Sequence, residues 1–308
     1  MYARRELRVK VVQTIFAYEQ GALESIKQAE SHLLRSINEP YKCYLTYLAL
    51  LPELLHFNNL LIEAENSKFI PAELTEQQTC LSGNSILKLL DTNSFNELLK
   101  HNKISWQQDN ELVQNLLKKV LGSPNYQKYL KMPKNFDNDK SFIEQIFTDV
   151  LFKNELLLDH FEDITIYLKD EEELIEWAVL ESLKKSSEDE FKIIPPYQNA
   201  AETKEFFLKI LHKTILNNEQ IESYISKNTH NFTYDRIGLM DRVLMKVCLA
   251  EILYCPEIPT NVSFNEYLEI SKEFGGTKSR LFINGILDKI IGILKDEDQI
   301  NKVGRGMM

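Results

Sequence analysis

The chain has 308 residues, 44% of them hydrophobic and 27% charged, the make-up of an ordinary folded protein rather than a disordered or fibrous one. Its 36 Lys and Arg against 46 Asp and Glu leave a net charge of −10, which argues against non-specific nucleic-acid binding, since that affinity comes from neutralising phosphates with basic side chains. The 10 glycines and 9 prolines are about half the average usage of roughly 7% and 5%, so turns are few and helices long.

The N-terminal MYARRELRVK runs directly into an amphipathic pattern, without the apolar h-region and small-residue cleavage site of a secretory signal, and a cytoplasmic protein is expected. Residues 4–19 read as a helix with Leu7, Val11 and Tyr18 on one stripe, Val9, Val12 and Phe16 on other faces, and a polar or small strip of Lys10, Gln13 and Ala17. Such a helix is packed on most sides. Helical periodicity continues over 24–37, 41–65, 84–101, 109–121, 141–158 and 170–185. The most apolar stretch, YLTYLALLPELL, is interrupted by Pro52 and Glu53 and falls short of the ~20 residues that cross a bilayer. In DEEELIEWAVLESLKK, Asp170 is placed to cap, Glu171 to Glu173 sit at the positive end of the helix dipole, and Lys184 and Lys185 at the negative end. Pro195 and Pro196 then mark a boundary between units, in keeping with the length, which suits two units at roughly 100 to 200 residues each. Beyond it come helices over 200–217, 218–228, 235–254, 263–275 and 278–295. Ser263 and Glu266 have capping-box spacing, and Gly275–Gly276 is read as a helix end. No stretch alternates with a period of two, so the expected class is all-α.

Catalytic constellations are missing. His32, His56, His101, His160, His212 and His230 are scattered and read as surface or packing residues; no GxGxxG or Walker A run occurs. Cys43, Cys80, Cys248 and Cys255 lie far apart without a CxxC pair, which predicts reduced, mostly buried thiols rather than disulfides or a zinc site. DNDKSFIE, at Asp137 to Glu144, lacks the mid-loop glycine of a calcium site and reads as a solvated helix start. The expectation is no enzyme, no cofactor and no metal.

The ends of the chain carry more signal. Residues 1–20 hold a net +2 and residues 200–308 a net −1, leaving −11 on residues 21–199, so contact with RNA from the two ends stays electrostatically open. Arg4, Arg5 and Arg8 occupy opening helical turns, where the dipole disfavours each cation by roughly 0.3 to 1 kcal/mol. One reading is that guanidinium groups and the positive helix end converge on phosphates; a solvated, frayed terminus is the other. Lys278 and Arg280 begin the last helix with Phe282 one turn in, and Gly285 in its interior costs ~0.8 to 1.0 kcal/mol relative to Ala, as at a site of close approach. Cations beside an aromatic ring suit unpaired RNA, whose bases stack while phosphates meet the charges. Phe282 serves equally as a core residue.

The run FINGILDKI after FGGTKSR, the helix VSFNEYLEISKEFG, the stretch DRIGLMDRVLMKVCLAEILYCPEIPTNV and the opening RRELRVKVVQTIFAYEQ together resemble the NusB family of transcription antitermination factors, over residues 3–20 and about 200–292. The resemblance implies a helical bundle from residues 1–20 and 200–297, with 21–199 as an acidic helical insertion or extension and 298–308 as a tail. It implies binding of boxA RNA jointly with the ribosomal protein NusE, within the RNA polymerase antitermination complex that transcribes ribosomal RNA operons. By position, Arg4, Arg5, Arg8, Gln13, Lys278, Arg280 and Phe282 would face RNA, and Phe16 and Asp241 would face NusE. Glu6, Phe16 and Lys278 depart from the family pattern. Two alternatives stand beside this reading: a protein-interaction scaffold without RNA binding, and an RNA methylase, for which a glycine-rich S-adenosylmethionine loop and catalytic cysteine are missing. The central expectation is that the two ends fold together, putting Arg5 and Phe282 on a shared surface.

Overall fold

The computed structural model describes residues 1–67, 76–229 and 234–304, and every regular element among them is helical. His230 and residues 305–308 of the expected tail lie outside the described residues. The chain opens with α1 (Arg4–Glu19) and α2 (Ile26–Asn66), continues through α3 (Glu76–Gly83), α4 (Ser85–Leu90), α5 (Asn93–Asn102), α6 (Asn110–Leu121) and α7 (Pro124–Leu130), then α8 (Phe136–Ile146), α9 (Glu155–Ile164) and α10 (Leu168–Lys185). It closes with α11 (Ala200–Leu216), α12 (Asn218–Asn228), α13 (Leu239–Tyr254) and α14 (Thr260–Asp296). Two units result. The terminal unit joins Tyr2–Ile37 to Pro196–Met308; the central unit is Asn38–Pro195, with Met1. Residues 26–37 therefore pack with the chain ends, because Ala29, Leu33 and Ile37 form a buried stripe at four-residue spacing.

In the terminal unit α1 has its C-cap at Gln20 and is closed by Gly21, whose φ of 78° is open to glycine at no steric cost; the amide of Ala22 then reaches the Ala17 carbonyl at 3.0 Å and that of Gly21 the Tyr18 carbonyl at 3.0 Å, a Schellman closure. Leu7, Val11, Val12 and Ile15 are buried along α1, and Lys10, expected on a polar strip, is buried with them. Every residue of α13 from Val243 to Ile252 is buried, as in a helix hydrophobic all round, and it packs against α1, α11, α12 and α14. Two of those ten are charged, Lys246 and Glu251, and both find partners on α1.

The central unit is arranged around the second half of α2, where Tyr44, Leu45, Tyr47, Leu48, Leu50, Leu51 and Leu54 are all buried. By length and apolar composition α2 would serve to cross a membrane, yet these side chains are the core of this unit. Pro40 and Pro52 lie inside the helix, so the helices expected over 24–37 and 41–65 are one, unbroken at Pro40. Each proline lacks the N–H that would bond four residues back, at a cost of ~3 kcal/mol, and apolar burial on all sides of this segment offsets it. The Tyr44 hydroxyl pairs with Ser182 Oγ at 2.7 Å and accepts from the Ile194 amide at 2.8 Å, tying α2 to α10 and to the strand-free segment after it. Trp106 is buried, donates to the Thr46 carbonyl at 3.2 Å and stacks on His160 with ring centroids 4.9 Å apart; Trp177 is half exposed.

Side-chain caps punctuate what the periodicity merges. Asn84 caps α4 through the Ile86 and Leu87 amides, Thr92 caps α5, and Asn154 caps α9 after a π turn at Phe147–Leu151, so the helices expected over 84–101 and 141–158 are each broken. Asp170 lies in the first turn of α10 rather than at its cap, Tyr167. The Asp137–Glu144 run does start a helix, but Asp139 is not solvated: it accepts from Tyr129 Oη at 2.5 Å and from the Ser85 amide and hydroxyl at 2.7 and 2.8 Å. All four cysteines are unpaired, and all but Cys80 are buried. Replacing Asp139 leaves those buried donors without an acceptor, so Asp139→Ala is expected to lower the stability of the central unit by about 3 kcal/mol, read as a shifted midpoint in urea unfolding followed by tryptophan emission.

Candidate nucleic-acid interface

The first turns of α1 meet α11, α13 and α14, and each arginine there has a carboxylate partner. Arg4 reaches Glu202 of α11 at 2.9 Å. Arg5 grips Glu266 of α14 with two bonds, Nε to Oε2 at 3.0 Å and Nη2 to Oε1 at 2.8 Å. Arg8 grips Glu251 of α13 in the same bidentate way, at 2.8 and 2.7 Å. Exposure separates them: the Arg4 and Arg5 side chains are each 45% exposed, Arg8 3% and Glu251 0%. The Phe206 ring lies between Arg4 and Arg8, whose guanidinium carbons are each 5.1 Å from its centroid, close enough for cation–π attraction.

Arg8, expected to face RNA, is therefore an interior residue. Glu251 also accepts from Ser263 Oγ at 2.7 Å and Tyr267 Oη at 2.9 Å. Burial by itself would lower the Arg8 pKa, but the bonds and charge of Glu251 outweigh it and hold the guanidinium above its ordinary value. Burial and the Glu251 charge push the Tyr267 phenol well up, so it stays a donor. Ser263 and Glu266 do not form the expected capping box: α14 begins at Thr260, and their side chains turn instead to Glu251 and Arg5. At the other end of α1, buried Lys246 bonds Glu19 at 2.8 Å and Glu222 at 2.5 Å. Burial raises the Glu222 pKa, and Lys246 more than reverses that, leaving it low. The two pairs occur in opposite order along α1 and α13, which run antiparallel.

The glycine pair does not end a helix. Residues Thr260–Asp296 are helical throughout, but α14 bends near Gly275. Glu269 and Arg280 are eleven residues apart, about 16 Å along a straight helix, yet their charged groups lie 3.7 Å apart. A Cβ at Gly275 would overlap Ser279, whose hydroxyl donates to Asp241 of α13; a Gly/Ser cluster is a usual place for a sharp bend. The bend returns Arg280 to the Arg5 side. The Arg5 pKa is raised by its bond to Glu266, then by that residue's charge, with Glu269 adding; that of Glu266 is lowered chiefly by the Arg5 bond. The Glu269 pKa is lowered first by its bond from Lys272, with the charges of Arg280 and Arg5 contributing.

The expected site residues thus fall into groups. Arg5 and Arg280 share a surface through Glu266 and Glu269, and Asp241 is bound to Ser279 beside them. Phe282 is two residues past Arg280, about 200° around the helix, and sits half-buried on the flank that carries exposed Lys278 and Leu281. Among the described residues, nothing beyond the helix's own neighbouring backbone lies within 4 Å of a Cβ placed on Gly285, so no described residue makes the close approach expected there. Gln13 and Phe16 are half-buried further along α1. Sequence reasoning does not assign Glu202, Glu266 and Glu269 to the site; for the last two the available signal is the three-residue spacing of Glu266, Glu269 and Lys272 along α14.

This is a helical bundle closed by the chain's own first helix, with guanidinium groups from both ends on one face. A profile described as the NusB family matches residues 168–292. The chain is similar to the transcription antitermination protein NusB of Chloroherpeton thalassium, 37% identical over 105 residues, 34% of this chain and 50% of that protein. It is similar to those of Shouchella clausii, 42% identical over 86 residues, 28% and 65%, and Halalkalibacterium halodurans, 36% over 98 residues, 32% and 73%. The chain thus spans from half to about three quarters of the length of these relatives. No solved structure matches it. The chain belongs to the NusB family. The profile match stops short of α1 and takes in α10, which packs in the central unit.

Removing one member of a buried ion pair strands the other, at about 3–5 kcal/mol. Arg8→Met is expected to destabilise the terminal unit by that amount, while Arg8→Met with Glu251→Leu, which leaves no buried charge, is more stable than the single variant; urea unfolding followed by circular dichroism reads both.

Proposed function

We propose that the chain is a NusB-type transcription antitermination factor with no chemistry of its own, acting in the cytoplasm. Its terminal unit binds boxA RNA together with NusE and supports transcription of ribosomal RNA operons within the RNA polymerase antitermination complex. The observation that carries this reading is the convergence of Arg5 and Arg280, from opposite ends of the chain, on one carboxylate cluster in a unit of the NusB family. Arg4, Arg5, Gln13, Lys278 and Arg280 contact the RNA and Phe282 stacks on a base, while Phe16 and Asp241 face NusE. Arg8 acts only by holding α1 in place. Exposed Lys278 and Leu281 beside half-buried Phe282 support this division, because they put charge and apolar surface together on one flank.

A second reading, a scaffold that docks proteins without RNA, is favoured by the carboxylate already held by each of Arg4, Arg5 and Arg280. Titration of labelled boxA RNA with and without NusE, over several salt concentrations, separates the two. At about 0.7 per phosphate contact on single strands, replacing Arg4, Arg5 and Arg280 with alanine is expected to reduce the slope of log K against log salt by about 2. An unchanged affinity and slope would favour the scaffold.

A further inference from the structure

We infer that Glu266 and Glu269 are internal competitors of RNA: they occupy the guanidinium groups of Arg5 and Arg280 in the free protein and set how weakly it binds any RNA that offers phosphates alone. The inference rests on the RNA-binding reading above. Its basis is the geometry at the bend of α14. Arg5 gives Glu266 both arms of its fork, at 3.0 and 2.8 Å, the same planar pairing a phosphate would take. Glu269 lies 3.7 Å from Arg280 and 2.6 Å from Lys272, so one carboxylate engages two cations of this face. Glu269 is 39% exposed and Glu266 22%, within reach of solvent and of an incoming strand, unlike Glu251, which is fully enclosed.

The consequence follows from exchange. A phosphate that reaches Arg5 must displace Glu266, and one that reaches Arg280 approaches the charge of Glu269. Each bound phosphate therefore trades one anion for another instead of meeting a free cation. The loss falls equally on every RNA. A strand that offers only phosphates then binds poorly, and stable binding needs the added contacts of base stacking or of a protein bound alongside. In a terminal unit whose net charge is only +1, this exchange is what keeps Arg5 and Arg280 from holding RNA indiscriminately.

The sign of the effect distinguishes competition from positioning. The full-length protein is titrated with a boxA-containing single-stranded RNA and, separately, with an oligouridylate of equal length, over a range of salt. Glu266→Gln and Glu269→Gln are each expected to raise affinity for both RNAs by the same factor, roughly threefold to tenfold. The double variant is expected to raise affinity by roughly the product of the two factors with the slope of log K against log salt unchanged, because Arg5 and Arg280 meet the same phosphates, at about 0.7 each, with or without the carboxylates. Glu97→Gln removes the same net charge from an exposed site in the central unit and is expected to change neither. Circular dichroism melts confirm that the variants fold, and Glu269→Gln, the more exposed change, keeps the test open if Glu266→Gln unfolds. If the wild type binds boxA RNA and the variants bind equally or more weakly, the carboxylates position the arginines and the competition is overturned while RNA binding stands; a rise matched by Glu97→Gln overturns it too, as net charge alone. If neither wild type nor variants bind either RNA, both readings fall.

Discussion

Everything at the arginine-bearing end of the terminal unit depends on a charge that has no water. Arg8 and Glu251 meet in the interior, and a guanidinium there is tolerable only with its fork matched and the carboxylate's remaining lone pairs met. Ser263 and Tyr267 meet them, so α1, α13 and α14 are joined at one point by four donors on one carboxylate. Apolar faces alone would let α1 rotate or slide against α13 at little cost. A buried arginine that must find Glu251, with Lys246 and Glu19 fixing the far end, leaves one register. That register brings Arg4 and Arg5 out to solvent one turn before Arg8 goes in.

The first helix, Arg4–Glu19, was legible to the residue because its apolar positions fall on most of its faces. The meaning of its arginines was not. The helix dipole correctly marks Arg8 as out of place for an isolated helix, but the partner that compensates it is 243 residues away, beyond any local pattern. The same blindness explains Ser263 and Glu266, whose spacing suits a capping box while their hydroxyl and carboxylate serve Glu251 and Arg5. At Gly275 the local signal was a break, and the tertiary contact between Ser279 and Asp241 turned it into a bend. In the central unit, caps at Thr92 and Asn154 were hidden inside runs whose apolar period continues across them, so length was overestimated where polar punctuation is a single residue.

Family membership and folding unit do not share boundaries. The profile begins with α10, in the central unit, and omits α1, without which Glu251 and Lys246 lose partners inside the bundle. A fragment cut at residue 196 would hold most of the family's matched sequence and yet bury a carboxylate without its guanidinium. In sequence, the long central segment thus separates two parts of one bundle, and it carries a net charge of −11.

Both tryptophans, Trp106 and Trp177, belong to the central unit, one enclosed against His160 and the other half in solvent. Indole emission is consequently silent about the bundle that carries the arginines, whereas far-ultraviolet dichroism sums over all the helices. Two optical probes applied to one denaturation would therefore resolve the halves of this polypeptide separately, and any gap between their midpoints would measure how independently each half holds together.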